Sequence, residues 1–154
     1  MEILLNLIEK NMESKRTVLI TGGAGYIGSH TAVELIGSGY EVIVVDNLSN
    51  SNSSSIDGIE KITGLRPAFE EVDTCNFEQL ESVFSKYEFD TVIHFAAYKA
   101  VGESMAQPLK YYRNNLVSFM NIVELMRKYG RRNILFSSSA TVYGDAEHLP
   151  VNED

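Results

Sequence analysis

The sequence predicts an open, doubly wound parallel α/β sheet, and three observations predict it. Short apolar, β-branched runs alternate with stretches of helical period. A glycine-rich turn separates the first apolar run from the first helix, and an acid closes the second run. Runs without polar alternation suit parallel strands that are covered on both faces.

The elements follow in order. Thr17 to Thr21 is the first strand, Gly22-Gly23-Ala24-Gly25-Tyr26-Ile27-Gly28 turns the chain into a helix reaching Gly39, and Tyr40 to Asp46 is the second strand. These form a right-handed βαβ unit. Gly22 ends the strand where a Cβ would obstruct the turn, Gly25 lets the backbone approach a pyrophosphate, and Gly28 lets the helix lie against the sheet. The helix start aims unpaired N–H groups and a positive dipole end at the phosphates. A glycine triplet by itself also fits a plain turn. Here it follows a strand, opens a helix and precedes Asp46, 18 residues after Gly28, which is the context that dinucleotide binding requires. A carboxylate at the tip of the second strand accepts hydrogen bonds from the adenosine ribose and repels a 2′-phosphate, so NAD is favoured over NADP.

Asn47 to Ser55 is a run of short polar residues that disfavours helix and strand. It fits a solvated loop, and Asn47 to Ser51 fit equally well as contacts to the adenosine end of the cofactor. A short helix over Ile56 to Thr63 stops at Gly64. Ala68 to Asp73 reads as the third strand, its terminal acid placed by the adenine, and Glu78 to Lys86 as a helix with Leu80, Val83 and Phe84 on one face. Asp90 to Ala97 reads as a largely apolar fourth strand, in which His94 fits a satisfied core histidine better than a base. Pro108 opens a long helix ending near Tyr129 with Gly130 as its stop, and Asn133 to Ser138 is the fifth strand. The expected strand order is 3-2-1-4-5, Rossmann-like, with no internal repeat or linker. Ser137, Ser138 and Ser139 close the last strand, where ligands of such sheets sit.

At 154 residues the chain suits one domain. A formal net charge of −8 disfavours nucleic acid and anionic membranes as partners. The single cysteine, Cys75, excludes an internal disulfide and fits a reducing, cytoplasmic setting. No apolar run approaches the ~20 residues of a membrane span. Residues 1–15 lack the pattern of a signal peptide and read as an N-terminal extension ahead of a domain over residues 16–154.

Five blocks carry a resemblance: Thr21 to His30, Asp46 to Ser51, His94 to Ser104, Tyr111 to Asn115, and Phe136 to Gly144. Together they resemble the UDP-glucose 4-epimerases, extended short-chain dehydrogenase/reductases, over nearly everything after Lys15. The Lys99 to Ser104 block and the triple serine followed by Ala-Thr-Val-Tyr-Gly are the parts most specific to that group. The resemblance implies that Gly22, Gly25, Tyr26, Ile27 and Gly28 line the pyrophosphate. It implies that Asp46, Asn47, Leu48, Ser49, Asn50 and Ser51 hold the adenosine, and that Asp73 and Thr74 lie by the adenine. Thr74 stands where the family usually has an aliphatic residue. Phe95, Ala96, Ala97, Tyr98, Lys99 and Asn114 are implied to meet the central and nicotinamide parts of NAD. Ser139 is implied to be catalytic, hydrogen-bonding the sugar hydroxyl that is oxidised, with Lys99 also touching the sugar; no metal is implied.

The implied reaction is epimerisation at C4 of UDP-glucose and UDP-galactose: a hydride leaves C4 for NAD, the 4-keto sugar rotates, and the hydride returns to the other face. The family's base is a tyrosine with a lysine four residues later, a spacing that brings the ammonium near the phenol on a helix. None of the 8 tyrosines here has that lysine. The chain is therefore expected to supply the NAD-binding half of an epimerase, without the later strands and the sugar-gripping region, and to be inactive alone. The family's homodimer is expected of the longer protein and not of this chain. Another NAD-dependent sugar-nucleotide dehydratase or decarboxylase, and a non-catalytic NAD-binding domain, are the alternative readings.

Overall fold

The computed structural model describes residues 16–139, 142 and 144. The N-terminal extension expected over residues 1–15, and Ala140, Thr141 and Tyr143 of the motif after the triple serine, lie outside the described residues. The elements are β1 (Thr17–Thr21), α1 (Tyr26–Gly37), β2 (Glu41–Asp46), α2 (Ser54–Thr63), β3 (Ala68–Glu71), α3 (Phe77–Lys86), β4 (Thr91–His94), α4 (Val101–Ala106), α5 (Pro108–Lys128) and β5 (Asn133–Phe136). All four strand pairings are parallel, in the order β3-β2-β1-β4-β5. The expected doubly wound topology is what the chain adopts.

Alternation along each strand divides the core into two layers. Leu19, Ile43, Val45 and Val92 face α3 and α5, where they pack with Leu80, Val83 and Phe84 and with Ile122, Leu125 and Met126. Val18, Ile20, Val42 and Val44 face the other way, onto Ala32 and Ile36 of α1 and Ile56 and Ile59 of α2. Leu19 and Ile20, neighbours in sequence, are both fully buried on opposite faces. Each such side chain contributes about 1.5–3 kcal/mol of transfer free energy. β-branched runs apolar at every position are therefore what a sheet covered twice demands.

Helix ends follow local chemistry. Asn76 caps α3 by accepting from the Gln79 N–H at 3.0 Å. Gly64 ends α2 in the left-handed conformation, φ 73°, and Pro108 opens α5 where it has no intrahelical N–H to lose.

Four strands are shorter than expected: β2 begins at Glu41 rather than Tyr40, and three others are cut back further. β3 stops at Glu71 rather than Asp73, β4 covers Thr91–His94 rather than Asp90 to Ala97, and β5 stops at Phe136 rather than Ser138. Each ends where its neighbour turns away: Glu71 lies opposite Asp46, the last residue of β2, and His94 lies opposite Thr21, the last of β1, with Phe136 beside it. The short helix α4 was not expected; its six residues bury nothing and its N-cap, Ala100, offers no side-chain bond.

Candidate functional site

β1, β2, β4 and β5 all end at one edge of the sheet, and a cleft of about 710 Å³ opens there, lined by Gly22, Asp46, His94 and Phe136 at the four strand ends. That volume lies within the range of ~300–1,000 Å³ typical of ligand sites. Its floor is the glycine loop. A Cβ on Gly22, at φ +71°, would come 2.6 Å from the Ala96 amide nitrogen. A Cβ on Gly28 would come 2.3 Å from the Gly22 carbonyl oxygen, and one on Gly25 3.2 Å from the same atom. The β1–α1 turn and the segment after β4 are thus in backbone contact, with no room for side chains.

α1 begins directly under this floor. Its N-cap, Gly25, offers no side-chain hydrogen bond, and its first turn contains no acid. The first intrahelical acceptor is the Gly25 carbonyl, taken by Ser29 N–H at 2.9 Å, so the amides of Tyr26, Ile27 and Gly28 precede the helical ladder and border the cleft. An uncapped helix start lacking its own carboxylate is suited to an external anion. In a chain of net charge −8, local donors of this kind, rather than the overall field, are what can attract an anion.

Asp46 is 8% exposed and already works within the protein. Its Oδ2 accepts from the Ala24 N–H at 3.0 Å, and its Oδ1 accepts from the Leu48 N–H at 3.0 Å and the Ser51 hydroxyl at 2.8 Å. A carboxylate has about four acceptor directions, so one remains on Oδ2. That acceptor direction is left for a ligand, while the other bonds of the carboxylate brace the glycine loop against the β2–α2 loop. Ser55 adds to that brace by donating to the Ala24 carbonyl at 2.7 Å.

The residues expected around a dinucleotide are mostly brought together. Asn47, Ser49, Asn50 and Ser51 line the cleft near Asp46, with Thr74 from the β3–α3 turn. Phe95, Ala96, Ala97, Tyr98 and Lys99 line it after β4, Asn114 from α5, and Ser139 after β5. Leu48 and Asp73 are the two that do not line it. Leu48 adopts φ 55° and packs against the second core layer. Asp73 turns its Oδ1 to the Cys75 N–H at 2.9 Å, closing the β3–α3 turn. Thr74 is nearly buried, and its hydroxyl pairs with that of Ser118 on α5 at 2.7 Å.

His94 and Asn115 also line the cleft and were not assigned to it from the sequence. His94 is 2% exposed and shares a 2.6 Å hydrogen bond between its Nδ1 and the Thr21 hydroxyl. Phe119 and Phe136 pack on its ring, and burial pushes its pKa down to about 4. It is a neutral strut between β1 and β4, as the core reading expected. Asn115 sits in an Asn-Asn pair on α5; two amides in series on a helix bordering strand ends is the signal that marks it.

The chain matches the family model described as GDP-mannose 4,6 dehydratase over residues 19–154. UDP-glucose 4-epimerase of Bacillus subtilis is 56% identical over 137 residues, 89% of this chain and 40% of that protein. UDP-glucose 4-epimerase of Caenorhabditis elegans is 48% identical over 144 residues, 88% of this chain and 41% of that protein. Among solved structures, the Bifidobacterium longum UDP-glucose 4-epimerase in complex with NAD+ and UDP superposes with a TM-score of 0.86 at 47% identity, covering 90% of this chain and 41% of that one. The Stenotrophomonas maltophila enzyme with bound NAD and formylated UDP-arabinopyranose gives 0.85 at 43% identity, with 90% and 41% covered. The chain thus spans about 40% of the length of the relatives it matches. A βαβ glycine loop, a braced acid at the end of β2 and a family match over nearly every described residue agree: the chain belongs to the family described as GDP-mannose 4,6 dehydratase, and the relatives it resembles within that family are UDP-glucose 4-epimerases.

Proposed function

We propose that residues 16–154 form the NAD-binding part of a UDP-glucose 4-epimerase. The observation that carries this reading is the uncapped, acid-free start of α1 beneath a glycine floor, with Asp46 held rigid at the neighbouring strand end. The relatives at 48–56% identity support epimerisation over the dehydratase named by the family description.

In this reading the amides of Tyr26 and Ile27 hold the diphosphate, and the open acceptor of Asp46 takes an adenosine ribose hydroxyl, with Asn47, Ser49, Asn50 and Ser51 around it. Thr74 borders the adenine. Phe95 to Lys99 and Asn114 border the central and nicotinamide parts. NAD, when bound, supplies the acceptor and then the donor of the C4 hydride of a UDP-hexose. Ser139 orients the C4 hydroxyl, and Lys99 contacts the sugar. The tyrosine and lysine that would move the proton have no counterpart with their spacing in the sequence, so this chain by itself binds NAD without turning over UDP-glucose.

Calorimetric titration tests the reading. Binding of NAD, with NADP weaker by about tenfold or more through repulsion at Asp46, is the expected result. Folded protein that gives no heat with NAD or NADH overturns it.

A further inference from the structure

The segment from Phe95 to Lys99 forms one wall of the cleft yet has neither helix nor strand to hold it. Its entry is tied to β1, where the Phe95 N–H donates to the Thr21 carbonyl at 2.9 Å. Its middle is held from α5. Asn115 Oδ1 accepts from the Tyr98 N–H at 2.9 Å, and Asn115 Nδ2 donates to the Tyr98 carbonyl at 3.0 Å. One side-chain amide therefore satisfies both backbone groups of one residue, as a neighbouring strand would. Asn114 Nδ2 donates to the same Oδ1 at 3.0 Å, fixing which end of the Asn115 amide is oxygen. Tyr111 packs on the Tyr98 ring at 5.6 Å between centroids, and the Lys110 ammonium lies 4.9 Å from its centre.

One to two helical turns further along, the same helix holds the other side of the cleft. Asn121 Nδ2 donates to the carbonyls of Thr74 and Cys75 at 3.0 and 3.1 Å, and Ser118 pairs with the Thr74 hydroxyl. Asn115 and Asn121 thus hold two different loops, after β4 and after β3, from one rigid element. A dinucleotide with its diphosphate at β1 and its adenosine at Asp46 of β2 extends its other half over β4 and β5. Thr74 then lies on the adenosine side and Tyr98 on the nicotinamide side.

From this juxtaposition we infer that Asn115 is a positioning residue for the nicotinamide half of the cofactor, acting through the backbone of Tyr98 on the wall that carries Ala96, Ala97 and Lys99. The inference rests on the dinucleotide reading of the cleft. Removing the amide frees the wall while leaving the glycine floor and the Asp46 brace intact. The loss therefore falls on the half of the ligand that lies beyond the diphosphate.

The test compares the wild-type chain with Asn115→Ala, Asn115→Leu and Asn121→Ala, titrating NAD and AMP by calorimetry and following amide exchange at Tyr98 by NMR without ligand. Leucine keeps most of the volume and no hydrogen bond, so agreement between the two Asn115 variants assigns the effect to the lost bonds. In both, NAD binding weakens about tenfold while AMP stays within about twofold, and the Tyr98 amide exchanges faster. Asn121→Ala weakens AMP and NAD together. Unchanged NAD affinity, unchanged exchange at Tyr98, or equal losses of NAD and AMP in the Asn115 variants overturn the inference with the dinucleotide reading intact. Wild-type protein that binds neither ligand overturns that reading and this inference with it.

Discussion

Single atoms decide most about this cleft. Gly28→Ala puts a methyl group 2.3 Å from the Gly22 carbonyl and 2.6 Å from Gly23 Cα, backbone atoms with nowhere to go. The expected cost is ~1–3 kcal/mol in urea unfolding, with loss of NAD binding. Gly58, in the middle of α2, has nothing within 4 Å of an added Cβ. Gly58→Ala is therefore expected to stabilise by about 0.5–1 kcal/mol and to leave binding unchanged. His94 makes the fold sensitive to acid. Above its ordinary pKa of 6.5 it is neutral folded and unfolded and contributes no pH dependence. Below 6.5 the unfolded chain takes up a proton that the buried ring refuses until about 4, so stability falls between those values. At ~1.4 kcal/mol per pH unit the loss reaches about 3 kcal/mol. Unfolding free energies measured from pH 7 to 4 should show this decline, and His94→Asn should flatten that part of the curve. An identical decline in the variant would assign the effect to other groups.

At the scale of elements, α5 is the helix on which the site depends. The Thr74–Ser118 hydroxyl pair, both residues largely buried, joins the β3–α3 turn to it. Thr74→Val or Ser118→Ala alone strands the partner hydroxyl and is expected to cost ~1–2 kcal/mol. The double variant should cost less than the sum, because neither group is then left unpaired. Chemical denaturation of the four proteins measures the coupling, and strict additivity would rule it out. The elements were largely legible in the sequence, because uniform apolar runs such as Val18 to Ile20 and Val42 to Val45 have few other uses. Strand ends were less so: Phe95 to Ala97 are as apolar as Val92 and Ile93, and only the departure of β1 at Gly22 turns them into a cleft wall. α4 escaped notice because it lacks a cap and a buried face. Within the site, the motif residues facing the cleft were legible from glycine spacing, the acid at Asp46 and the family resemblance. The second role of Asp46, the inward turn of Leu48 and the clamp by Asn115 were not, since each depends on partners far away or on one backbone dihedral.

Across the whole molecule, two opposing features govern solution behaviour. Among the described residues β5 is one edge of the sheet, with Leu135 and Phe136 each 53% exposed, and α5 leaves Leu109, Tyr112, Leu116 and Met120 exposed at helical spacing. Open edges and apolar stripes favour association. The net charge of −8 opposes it. Salt screens that repulsion, so sedimentation velocity is expected to show larger species as ionic strength and concentration rise. A monomer under both low and high salt would refute this. No helix among the described residues is long and apolar enough to cross a membrane. The brace at the end of β2 also limits how this protein could be re-engineered for the phosphorylated coenzyme. Exchanging Asp46 for a small neutral residue would lift the electrostatic bar to a 2′-phosphate, yet it would orphan the amides of Ala24 and Leu48 and the Ser51 hydroxyl. In the proposed NAD-binding reading, selectivity and architecture share one carboxylate, so a designer must first build a substitute acceptor for those three donors and only then add a cation for the phosphate.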